Sequence, residues 1–137
     1  MISRRSIAMT TVLGLGLAFL PAAWADPASD ACASLANARS ALYSMMLAKG
    51  KSAQDSWNAK VLAASTKLDS VLANMTGADA KLASDFKAVW DEFKATRENE
   101  IIPAIYKGNA DDAEKIVDGV QAERLSKMWV IMSCKVR

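Results

Sequence analysis

Four arginines lie beyond residue 25, and three of them interrupt apolar stripes at helical spacing. Arg39 follows Leu35 by four residues and precedes Leu42 by three. Arg97 stands four residues from both Phe93 and Ile101, and Arg124 four from both Val120 and Met128. A guanidinium on or beside an inward face presents a planar fork of N–H donors, which suits a carboxylate or similar anion. With tight turns and a rise of ~1.5 Å per residue, Arg39, Arg124 and Arg97 lie about 10, 15 and 21 Å from the end that carries the two cysteines, close enough to approach one region. Taken singly, each arginine instead reads as snorkelling outward to Glu98, Glu100, Glu123 or a nearby Asp. Trp57, Trp90 and Trp129 read as core, with Trp90 and Tyr106 placed to wall a pocket. The candidate ligand contacts are therefore Arg39, Arg97, Arg124 and Trp90.

Other chemistry is sparse. The chain has no histidine, which removes His-based catalysis, His-ligated haem and most zinc sites. No CxxCH occurs, so c-type haem attachment of the usual kind is excluded. Met45, Met46, Met75, Met128 and Met132 offer thioethers to copper, but Met at helical spacing is more often core filler. Asp79, Asp85, Asp91, Glu92, Asp111, Asp112 and Glu114 read as solvated faces and caps. Nothing pairs a nucleophile with an activating base, so no catalytic residue is assigned, no enzyme is expected and no cofactor is expected.

Cys32 and Cys134 are the only cysteines. In an up-down-up-down bundle both lie at one end, and a disulfide between them is the expectation in an oxidising compartment. Two buried free thiols, or a metal or redox site, are the competing readings.

These residues need helices to hold them. Apolar positions recur with helical period from Ala31 to Lys49, from Ser52 to Met75, from Asp79 to Ile105 and from Ala110 to the C-terminus. Asp30, Ser52, Asp79 and Asn109 are the expected caps, with Gly50, Gly77 and Gly108 as stops. No run alternates with period two over strand length. Pro103 should kink or loosen the third helix, because it lacks an N–H and crowds residue 99. Connections of a few residues make neighbours antiparallel, so the expected fold is all-α, an antiparallel up-down-up-down four-helix bundle.

The first 25 residues read as an export signal: Arg4 and Arg5, an apolar run from Ile7 to Leu20, then Ala23-Trp24-Ala25 as a small-x-small cleavage pattern. A retained membrane anchor is the competing reading. Residues 26–137 then form the bundle domain, periplasmic or secreted, with no stable membrane span after cleavage. Losing Arg4 and Arg5 from the 17 basic residues leaves 15, matched by 15 acidic ones. A neutral mature chain gives no reason to expect a nucleic-acid or anionic-membrane partner.

The segments Trp90-Asp-Glu-Phe93-Lys-Ala-Thr-Arg97, Ile101-Ile-Pro103-Ala-Ile105 and Gly108-Asn109-Ala-Asp-Asp-Ala113 resemble the four-helix-bundle sensory domain of methyl-accepting chemotaxis receptors. The resemblance covers roughly residues 80 to 130. It implies a non-enzymatic module that binds a small molecule, often an anion, at a homodimer interface near inward arginines. By position those are Arg97 and, by topology alone, Arg39. Such receptors carry two membrane spans and a signalling coiled coil, neither of which this sequence displays. The expectation is thus a stand-alone, sensor-like relative linked to chemotaxis, binding a small ligand or a protein partner. A second resemblance, to periplasmic b- and c-type cytochrome bundles, implies a haem- or metal-binding alternative whose usual ligands are lost or replaced.

Overall fold

Asp26 opens the first helix, one turn earlier than the Asp30 start expected from sequence. Its Oδ1 accepts the Ala28 N–H at 3.2 Å, and Pro27 occupies the first helical position, where a missing N–H costs nothing. The computed structural model describes residues 26–135, so the signal segment and its cleavage after Ala25 lie outside the described residues.

The chain forms α1 (Pro27–Leu47), α2 (Lys51–Asn74), a single 3-10 turn (Gly77–Asp79), α3 (Ala80–Thr96), α4 (Ile102–Tyr106), α5 (Ala110–Ile116) and α6 (Ala122–Met132). A π turn at Arg97–Ile101 carries α3 directly into α4, and another at Val117–Gln121 carries α5 into α6. The described residues therefore make four helical rods and contain no strand. The first π turn lies where Pro103 was expected to loosen the helix. The Ile102 N–H reaches back to the Arg97 carbonyl, so a wider turn replaces the crowded one. The second has no proline. It contains Gly119, whose backbone (φ −94°, ψ −112°) leaves the helical region. The rods are otherwise ended by turn chemistry. Gly108 takes a left-handed φ of 80°, and the Asn109 N–H closes on the Ala104 carbonyl at 2.9 Å. Ser52, Asp79 and Asn109 make no side-chain cap: α2 starts at Lys51 behind Gly50.

Inward positions build two apolar clusters. One joins Leu35, Leu68, Leu72, Phe86, Trp90, Phe93, Leu125 and Met128. The other joins Leu42, Met45, Val61, Ile101, Ile105, Ala113 and Val117. Contacts between rods follow a definite order. Along α1, Cys32, Arg39 and Tyr43 meet Cys134, Trp129 and Asp118. Along α2, Gln54, Ser65 and Asp69 meet Ile105, Arg97 and Trp90.

The expected disulfide is present. Cys32 and Cys134 are bonded with Cα atoms 5.7 Å apart. The left-handed Ser133 that caps α6 lets the Cys134 N–H bond the Trp129 carbonyl at 2.9 Å, which sets the bridging residue at the helix end. A structural disulfide fits a protein exported to an oxidising compartment. Among the described residues, no helix is long and apolar enough to cross a membrane.

Candidate functional site

The two apolar clusters are separated by a polar layer. Ser65 falls between Val61 of one cluster and Leu68 of the other. Arg97 falls between Ile101 and Phe93, and Gln121 between Val117 and Leu125. All three side chains are buried. On α1 the same boundary is occupied by the small residues Ala38 and Ala41. Both π turns border this layer. A π turn spaces inward positions more widely than an α turn, and the buried positions 93, 97, 101 and 105 and 113, 117, 121 and 125 accordingly recur at intervals of four.

Arg97 is the centre of the layer, with only 2% of its side chain exposed. A buried guanidinium is costly unless its donors are used and its charge is matched. Nε and Nη2 both donate to Oε1 of Glu98, at 3.0 and 2.8 Å. Nη1 donates to the Ser65 hydroxyl at 2.8 Å, and that hydroxyl donates to the Val61 carbonyl at 2.8 Å. The Trp90 ring lies 5.6 Å from the guanidinium carbon, within cation–π range. Trp90 is itself fixed. Its Nε1 donates to Asp69 Oδ1 at 2.7 Å, its ring stacks on Phe93 at 5.6 Å, and Lys94 pairs with the same Asp69 oxygen at 2.8 Å. Gln121 donates to the Phe93 carbonyl at 2.9 Å and accepts from Arg124 at 3.1 Å.

The structure brings Arg97 and Trp90 together. Arg124 joins the edge of the layer through Gln121, with Thr96 (2.7 Å) and Glu92 (3.4 Å) as its other partners. Arg39 is exposed, lies across Tyr43 (5.1 Å) and Trp129 (6.0 Å), and shares no polar partner with the other two. Met45 packs in one apolar cluster and Met75, Met128 and Met132 in the other. Among the described residues, no three His, Cys, Asp or Glu side chains are grouped to hold a metal ion.

Ser65, Gln121 and Asp69 are among the network members that escaped the sequence reading, with Lys94 and Thr96. Ser65 and Gln121 break apolar stripes just as Arg97 does, but each has an apolar neighbour, Ala64 or Val120, that looked the better inward residue. The structure buries Gln121 and exposes Val120. Asp69 carried no usable signal, because its role depends on a residue 21 positions away.

A second polar cluster lies where the α1–α2 turn meets the end of α4. The Tyr106 hydroxyl donates to Asp55 Oδ1 at 2.7 Å, and Lys51 pairs with Oδ2 at 2.6 Å. The Lys51 hydrogen bond and then the Tyr106 hydroxyl hold the Asp55 carboxyl below its ordinary 3.8, while the Asp55 carboxylate pushes the Tyr106 phenol up. A depressed folded pKa means that this carboxylate stabilises the fold above the unfolded pKa and loses that contribution as pH falls through the folded value. Carboxyl-detected NMR should therefore give Asp55 a midpoint below 3.8. Tyr106→Phe should move the midpoint upward, and an ordinary, variant-independent midpoint would contradict the contact.

The chain matches no family model, no curated protein and no solved structure.

Proposed function

We propose that this protein is an exported, non-enzymatic, sensor-like bundle whose buried polar layer recognises a small anion, with Arg97 as the principal contact and Trp90 beside it. The observation that carries the reading is the state of the Arg97 fork. Its bidentate edge is closed by one oxygen of Glu98, and Glu98 is itself 42% exposed. A carboxylate that follows in sequence and faces water is a replaceable partner, and an incoming carboxylate would meet donors already oriented by Ser65 and the Trp90 ring. Arg124 lies next to the layer and adds positive potential there.

The rods run up-down-up-down in this reading. Support comes from the order of contacts, which reverses along α1 against the last rod and along α2 against the third. Periplasmic placement is supported by the disulfide and the signal-like leader. The likeness to chemoreceptor sensory domains supports a sensing role, because it falls on the segment that supplies Trp90 and Arg97.

The test is a thermal-shift panel of dicarboxylates and amino acids. A ligand that binds only the folded state raises the melting temperature. At least one compound should do so for the wild type. Glu98→Gln removes the competing charge and should enlarge the shift at equal ligand concentration, whereas Arg97→Met should abolish it. Flat melting across the panel in both the wild type and Glu98→Gln would overturn the proposal. An exposed protein-binding face would then be the better reading.

A further inference from the structure

The cluster at the turn end opens onto a cleft of about 490 Å³ between the start of α2 and the end of α4. Its polar side chains are Asp55, Tyr106, Gln54 and Lys51, and Asp55 is the one anion among them. Asp55 contributes a carboxylate that Tyr106 holds in place, whereas the Ile105 carbonyl is already used, accepting the Gly108 N–H at 3.0 Å and a longer 3.5 Å approach from Gln54. Asn58, one turn further along α2 and behind the cleft lining, has a buried Oδ1 without a hydrogen-bond partner. The sole cation in the lining is Lys51. Its ammonium sits on Asp55 Oδ2 and 5.4 Å from the centre of the Tyr106 ring.

Lys51 marks a cation position at the mouth of the cleft. Its Nζ occupies an ammonium position defined by a carboxylate and an aromatic face. The lysine is nevertheless a weak occupant: its side chain is 78% exposed, and the pair is a surface contact between residues four apart on one helix. Such pairs are easily exchanged. We propose that this cleft is a binding site for a small primary organic ammonium with a short apolar body, which displaces Lys51 from Asp55. The ligand's ammonium takes the Lys51 position, and its apolar body lies along the Tyr106 ring and the Ile105 side of the cleft. The site is separate from the Arg97 layer and stands or falls independently of it.

The test is an NMR titration of the whole, disulfide-bonded protein with n-butylammonium chloride, with sodium chloride and sodium butyrate as controls. Saturable shifts should appear at the Gly50 and Gly108 amides and the Asn58 side-chain amide with the ammonium salt alone. Lys51→Met removes the internal competitor and should tighten binding by about two- to fivefold. Asp55→Asn should weaken binding by about tenfold or more. Asp55 is exposed and pairs only at the surface, so this variant should fold normally, which its amide spectrum would verify. Shifts reproduced by sodium chloride, Lys51→Met binding no tighter than wild type, or unchanged affinity in Asp55→Asn would each overturn the proposal.

Discussion

Reduction of the Cys32–Cys134 bridge should lower the unfolding free energy by roughly 4–5 kcal/mol, the chain-entropy value for a loop of about 100 residues. The bridge joins positions 102 apart in sequence, so almost the whole described chain lies within the loop. Severing it gives the unfolded ensemble its full freedom while leaving the folded contacts in place. Total stabilities of single domains are ~5–15 kcal/mol, so the reduced protein should sit near the edge of folding. Urea unfolding of the oxidised protein, the reduced protein and the Cys32→Ser/Cys134→Ser double variant measures this directly. The reduced and double-variant curves should coincide. Their slopes should be steeper, because an unlinked denatured chain exposes more surface. A midpoint that reduction leaves unchanged would mean that packing between α1 and α6 holds the chain ends without the covalent link.

The cysteine pair was legible in the sequence because its logic is topological: four helices with short connections bring the first and last turns together whatever the side-chain details. Pro103 was legible for a local reason, since a missing N–H and a steric clash act on the preceding turn in any context. The π turn at Val117–Gln121 was not legible, because Gly119 leaves the helical region only where packing favours it. The consequence reached the site. Hydrophobicity alone chose Val120 as the inward residue, yet the structure buries Gln121 and uses it to bond the Phe93 carbonyl. Arg97 was singled out as a stripe-breaker on or beside the inward face, with snorkelling to a carboxylate as the competing reading, and the structure buries it. An arginine taken singly prefers to snorkel, and Arg97 stays inside only because Ser65, Glu98 and Trp90 meet it from three sides. Arg39 shows the opposite outcome of the same pattern, with aromatic faces to lie on and water to reach.

Trp90 is where the apolar core and the polar layer depend on one side chain, and Trp90→Ala should cost about 3–5 kcal/mol. Its ring is fully buried, stacks on Phe93 and covers the Arg97 guanidinium. Truncation to alanine removes that ring from the core, and Leu35, Phe86 and Met128 are held by the surrounding helices and cannot close the space completely. Two polar losses come with it. Asp69 loses the indole donor at 2.7 Å, though Lys94 still pairs with it. Arg97 loses its aromatic cover while its charge stays buried. Trp90→Phe separates these contributions: it keeps most of the apolar volume and an aromatic face, and gives up the donor and part of the contact, for an expected cost of about 1–2 kcal/mol. Calorimetry should show the alanine variant melting on the order of 10–20 °C below wild type and the phenylalanine variant within roughly half of that. If the two variants melted together well below wild type, the hydrogen bond to Asp69 rather than the ring's packing would be the dominant interaction. The half-exposed Asp69 carboxylate, which retains Lys94 and water as partners, argues for packing.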